Sequence, residues 1–257
     1  MSKLYLQNIV ESIQWNNLLY EWLDFDFAKF SENKTLYDYQ QQSLKNASKA
    51  LYKYYIDLLG NKEQFFELYK INGLTEKVDL DLKNNSKIKK IFQEFDKNFN
   101  IQDDRIEGYH FINRMSFWMA TGSGKTLIVV KLIELLQSLM SKKLIPQKDI
   151  LFLTYREDLL EQFKNHIEEF NKSNNTFFIN LYDLKSYDSV KRENKLIFGN
   201  AIDIFYYRSD LISDEQKDKI IDFRNYDSNG NWYILLDEAH KGDREDSKRQ
   251  QFYSILS

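Results

Sequence analysis

Apolar residues recur at helical spacing up to about residue 110, and beyond it short apolar runs alternate with longer amphipathic ones. In the first part Leu44, Ala47, Leu51, Tyr54 and Leu58 share one helical face, with Thr35 as the expected N-cap and Gly60 as the stop. Further helices are predicted over Lys62 to Ile71 and Ser86 to Phe95. In the second part strands are predicted at Met115 to Met119, Ile150 to Thr154, Phe177 to Tyr182, Ile202 to Tyr207 and Tyr233 to Leu236. Helices are predicted between them at Lys125 to Met140, Glu157 to Phe170 and Ser213 to Phe223, the last opened by a Ser213/Gln216 capping box. This alternation implies an α/β domain on a parallel sheet, residues 111–257, preceded by a mainly helical region, residues 1–110, with a polar seam near Asn98 to His110. There is no internal repeat or low-complexity tract.

The chemistry lies where two of the predicted strands end. Met115 to Thr126 reads MSFWMATGSGKT, an apolar run, a Gly-rich loop and then a largely apolar helix. At such a turn backbone N–H groups and the positive helix end converge on an anion, and Gly122 and Gly124 let the main chain approach it. Thr121, Gly122, Ser123, Gly124, Lys125 and Thr126 are therefore expected to cradle the phosphates of ATP or GTP. Lys125 would reach the β- and γ-phosphates and Thr126 would ligate Mg²⁺. The second element is WYILL, Trp232 to Leu236, a buried-strand run that ends in Asp237-Glu238-Ala239-His240. Asp237 is expected to hold Mg²⁺ through its water shell, and Glu238 to orient and deprotonate the attacking water. A plain Gly/Ser turn or an acidic helix cap would account for either motif alone, but not for both in one chain.

MATGSGKT and LLDEAH resemble motifs I and II in the first motor domain of superfamily 2 helicases and translocases, most nearly the helicase-type (Res) subunits of type III restriction enzymes and the DEAD/DEAH-box proteins. Met119 stands where the general phosphate-loop pattern has its first glycine, which fits the helicase variant. The resemblance implies a RecA-like fold, ATP and Mg²⁺ as ligands, and ATP hydrolysis coupled to movement on DNA. LYDYQQQSLKNA is similar to the adenine-reading Q-motif, which makes Gln40 the residue that would pair with the adenine edge, against the bland reading of a surface glutamine. Leu153 to Gln162 resembles motif Ia, with Tyr155 where the family often has proline. Arg156 there is the expected phosphate-backbone contact, the competing reading being a pair with Asp158 or Glu161. IDIFYYRSDLIS looks like motif Ib and offers Arg208 and Ser209 on the same strand path, or a solvated loop. His240 would couple the nucleotide site to the nucleic acid and to the partner domain, or cap a helix.

Composition narrows the partners. Thirty-six basic residues against 39 acidic leave a net charge of −3, so any nucleic-acid contact is local rather than a general cationic field. Zero cysteines exclude disulfides and thiolate metal sites, no apolar stretch reaches membrane length, and MSKLYLQNIVES has no signal core, so a cytoplasmic protein is expected. His110 and His166 have no partner at ligand spacing. Glu193-Asn-Lys195 lacks the upstream Asp of a nuclease site. The aromatics Trp15, Tyr20, Trp22, Phe25, Phe27 and Phe30 suit a core or a stacking surface for bases.

The sequence stops at Ser257 before a Ser-Ala-Thr motif III and before a second motor domain, so these residues are expected to be a fragment, a truncated gene product or part of a split enzyme, nearly inactive alone. The implied partners are duplex DNA through the complete enzyme, the second motor domain or the rest of that enzyme, and a methyltransferase subunit. An RNA helicase fragment and a non-catalytic nucleotide-binding module are the rival readings.

Overall fold

The computed structural model describes residues 4–79, 93, 105–110, 112–120, 122–193, 201–213, 216–226 and 231–237. The chain divides into two compact units, one of Met1–Asp24 with Lys45–Phe117 and one of Phe25–Leu44 with Trp118–Ser257.

The first unit is helical. It holds α1 (Tyr5–Glu11), α2 (Tyr20–Leu23), the later residues of α3 (Asp38–Tyr52) and α4 (Lys62–Ile71). A short antiparallel pair, β1 (Lys77–Asp79) and β2 (Arg105–Glu107), completes it. Ile9, Phe65, Tyr69 and Ile112 form its core. The α4 helix starts and stops as its sequence pattern predicts, because the Asn61 side chain accepts the Gln64 N–H at 3.0 Å and satisfies a donor at the helix start. After α3 the chain makes a π turn over Lys53–Asp57. Leu59 (φ 52°) and Gly60 (φ 73°) then turn it left-handed, and the Gly60 N–H closes the end on the Tyr54 carbonyl at 2.8 Å.

The second unit is a parallel α/β sheet of order β4-β5-β3-β8, built from β3 (Asp149–Thr154), β4 (Phe178–Asp183), β5 (Ala201–Arg208) and β8 (Trp232–Leu236). It is the fold class of a RecA-like domain. β3 is buried from Ile150 onward, as expected of a strand covered on both faces. Three helices belong to this unit: α5 (Lys125–Ser141), α6 (Glu157–Ser173) and α7 (Tyr187–Glu193). The α5 and α6 helices pack on each other, and Phe152 of β3 stacks on Phe163 of α6 with centroids 3.8 Å apart. Segment Phe25–Leu44 is fastened to these helices. Lys131 of α5, only 2% exposed, donates to the Lys29 carbonyl at 2.7 Å, pairs with Glu134 at 2.7 Å and lies over the Phe25 ring. Ser31 and Lys34 both donate to the Glu169 carboxylate of α6, while Phe30 packs against Phe170.

Several expectations need correction. Met115 to Met119 is not a strand. Its alternating pattern finds no hydrogen-bonding neighbour among the described residues, and Trp118 is 89% exposed. Ser213 to Phe223 is not a helix. Ile212 and Ile221 bury themselves by pairing β6 (Ile212–Ser213) with β7 (Ile221–Asp222), and a 3-10 turn follows over Phe223–Tyr226. Gln216 is correspondingly no capping-box partner, since its side-chain amide oxygen accepts the Asp222 N–H at 3.1 Å. Thr35 does not cap α3, which begins at Asp38; Thr35 instead forms an antiparallel bridge with Lys29. The α7 helix has no counterpart in the predicted elements. Apart from Gln93, the helix predicted over Ser86 to Phe95 lies outside the described residues. Of the aromatic group, Trp22, Phe27 and Phe30 are core, whereas Tyr20 is exposed.

Candidate functional site

The Gly-rich loop leads into α5 through two glycines in the left-handed region, Gly122 (φ 79°) and Gly124 (φ 75°). Gly124 is the residue that caps the helix, and no acidic side chain lies in the first turn, so nothing opposes an anion at this positive end. Space around Gly122 is open. The Ser123 hydroxyl, by contrast, is buried in the loop with no hydrogen-bond partner. Lys125 folds its ammonium back over the loop and donates to the carbonyls of Ala120 (3.2 Å) and Met119 (3.5 Å). Both are neutral acceptors at long hydrogen-bond distances.

Thr126 is buried, with its hydroxyl 3.4 Å from the Gln162 side-chain oxygen on α6. Asp237 follows the end of β8. Its backbone N–H donates to the Leu153 carbonyl at 2.9 Å, which extends the β3/β8 ladder by one step, and its side chain is largely buried. Thr121, Glu238 and His240 lie outside the described residues.

Gln40 is brought to the same loop, from a place far upstream in the chain. Only 2% exposed, it accepts the Tyr37 N–H at 2.8 Å through its carbonyl oxygen and donates to the Ser123 carbonyl at 2.8 Å through its amide nitrogen. The Tyr39 hydroxyl donates to the same carbonyl at 2.9 Å. The rings of Tyr37 and Tyr39 are stacked and exposed beside it. A Cβ on Gly124 would stand 2.5 Å from the Gln40 amide nitrogen. Sequence reasoning reached Gln40 through its motif but missed Tyr39 and Gln162, because neither carries a distinctive spacing.

The two arginines lie at the carboxyl end of the sheet, where Arg208 is in register with Thr154 and Arg156 follows two residues later. Both are paired with carboxylates. Arg156 makes a two-point contact to Asp158, whose carboxyl that hydrogen bond holds below the usual range. Arg208 pairs with Asp210 at 2.7 Å and reaches Glu157 at 3.4 Å. His166 packs edge-on to Phe30, 3.8 Å from Glu169, and burial lowers its pKa. No helix among the described residues is long and apolar enough to cross a membrane.

Comparison with known families matches residues 33–256 to the model of the family described as type III restriction enzyme, res subunit. No curated protein and no solved structure matches the chain.

Proposed function

Since the chain belongs to the type III restriction enzyme res-subunit family, a family of superfamily 2 first motor domains, we propose that its second unit binds ATP with Mg²⁺ at Thr121 to Thr126 and hydrolyses it to drive movement on duplex DNA. One observation carries this reading: two left-handed glycines deliver the chain to an unopposed helix N-terminus, with a lysine held only by carbonyls and an unpartnered buried hydroxyl in the same loop. The donor set fits a phosphate chain and its hard cation.

In this reading Lys125 leaves the Ala120 carbonyl for the β- and γ-phosphate oxygens, and the Ser123 hydroxyl gains the partner it lacks. Thr126 and Asp237 would hold Mg²⁺, which would supply positive charge against the charge developing on the γ-phosphoryl group. The cation's protein ligands in this reading are the Thr126 hydroxyl and, through water, the Asp237 carboxylate. Glu238 accepts the proton of the attacking water, and His240 couples the site to its partner domain. Gln40 and Tyr39 brace the loop through Ser123. For Gln40 to read an adenine edge as well, its carboxamide must release the Ser123 carbonyl when nucleotide enters. Arg156 and Arg208 exchange their carboxylates for DNA phosphates. The second motor domain and a methyltransferase subunit are the proposed protein partners.

Calorimetric titration of the 257-residue chain tests the site. Losing a charge-assisted contact worth about 1.5–3 kcal/mol, the Lys125→Ala variant is expected to bind ATP with Mg²⁺ roughly 10- to 150-fold more weakly. Equal affinity in variant and wild type overturns the assignment.

A further inference from the structure

Thr154 ends β3, and its position is wholly inside the protein, with 0% exposure. Every other residue of that strand after Asp149 is apolar. Its hydroxyl has no hydrogen-bond partner. Valine has the same shape and β propensity and would fill the site without leaving an unsatisfied donor, so packing alone does not explain threonine here.

What lies beside it does. Strands β3 and β8 run parallel with Leu153 opposite Leu236, and the Asp237 N–H to Leu153 carbonyl bond continues the ladder, so the next neighbours are Thr154 and Asp237. Residues in register point to the same face, and parallel strands lie about 4.8 Å apart. That face is the one toward α6, because Phe152, two residues before Thr154, stacks on Phe163. Gln162, adjacent to Phe163, is the residue that meets the Thr126 hydroxyl. The residue with the unpartnered hydroxyl is thus the sheet neighbour of the residue assigned to the cation, on the face toward α6.

We infer that Thr154 is a positioning residue for magnesium: its hydroxyl donates to the Asp237 carboxylate when the cation arrives with the nucleotide, fixing which oxygen faces the metal's water shell. This rests on the nucleotide reading above. The bond to the carboxylate belongs to the magnesium-loaded state, and its contribution is specific to that state. Thr154→Val keeps the side-chain shape and Thr154→Ser keeps the donor.

The test is calorimetric titration of ATP into the 257-residue chain with Mg²⁺ and again with EDTA, alongside thermal melts of the free proteins. In Thr154→Val the affinity gained from Mg²⁺ is expected to fall about tenfold, which is about 1.4 kcal/mol. Affinity in EDTA should be unchanged, the melting temperature equal to or above that of wild type, and Thr154→Ser should restore the magnesium effect. Should the valine variant fail to fold, Thr154→Ala gives the same reading. An undiminished magnesium effect in Thr154→Val, or an equal loss in both titrations, overturns the inference while leaving the nucleotide site standing. Wild-type protein that binds no nucleotide in either titration overturns the nucleotide reading, and the inference with it.

Discussion

Replacing Gly124 with alanine sets the backbone and the Gln40 side chain against each other. The residue has φ 75°, where a Cβ meets its own backbone, at a cost of about 1–2 kcal/mol. The added carbon would also stand 2.5 Å from the Gln40 amide nitrogen, a contact that no folded protein keeps. Leu127, at 3.4 Å, is only in ordinary contact. The cheapest relief is for the carboxamide to swing away and give up its bond to the Ser123 carbonyl, a further loss of roughly 1 kcal/mol. Gly124→Ala should therefore destabilise the protein by about 2–3 kcal/mol, a fall in melting temperature of roughly 4–12 °C. The assay is urea unfolding of wild type, Gly124→Ala, Gln40→Ala and the double variant. With the glutamine shortened the clash disappears, so Gly124→Ala should cost only its backbone term in that background, and the two changes should couple by about 1 kcal/mol. Strict additivity would refute the contact between Gln40 and the phosphate loop. A cost below about 0.5 kcal/mol would refute the left-handed cap itself.

Two further outcomes are expected. Asp158→Asn releases Arg156 and removes a negative charge beside it, so duplex DNA should bind more tightly and with a steeper salt dependence; fluorescence anisotropy across salt concentrations checks this, and unchanged affinity and slope would count against Arg156 as a phosphate contact. Burial, and then the charge of Lys34, lower the pKa of His166 from the ordinary histidine value of 6.5, so the folded state favours the neutral ring. Its contribution to stability is present above pH 6.5 and drains away as the pH falls through the lowered folded value. Urea midpoints at neutral and mildly acidic pH should draw together in His166→Asn, and an unaltered acid slope would refute this.

Strands β3 and β8 were legible because a strand covered on both faces carries an unbroken apolar run, and β4 and β5 because their apolar runs are broken only by Asn180 and Asp203. The starts of α5 and α6 were legible from their motifs, and α4 from its helical pattern over Lys62 to Ile71. Local pattern failed wherever the partner was distant. Ile212 and Ile221 have helical spacing with their neighbours, yet parallel pairing with each other buries them more completely. Met115 to Met119 alternates as a strand does, but a ladder also needs a neighbour. The site divides in the same way. Gly122, Gly124 and Lys125 announce themselves in sequence, whereas the bracing of the loop by Tyr39 and Gln40 depends on a long-range hydrogen bond to one carbonyl. Nothing in the local pattern marks Lys131, which the structure makes a buried anchor for the Lys29 carbonyl.

That anchor has a consequence for how the molecule is made. Phe25–Leu44 belongs with the sheet, but its partners Lys131 and Glu169 are synthesised much later, after the whole of the intervening Lys45–Phe117 stretch. On the ribosome this strap has to wait, unpaired, while Phe27 and Phe30 lack the surface that will bury them. Closing so long a loop adds little to the entropic penalty, which grows only about 0.6 kcal/mol per doubling of length. The delay is therefore kinetic. The first unit has the time to assemble on its own, and the strap docks only once α5 and α6 exist, which makes the completed phosphate loop one of the last features of the chain to form.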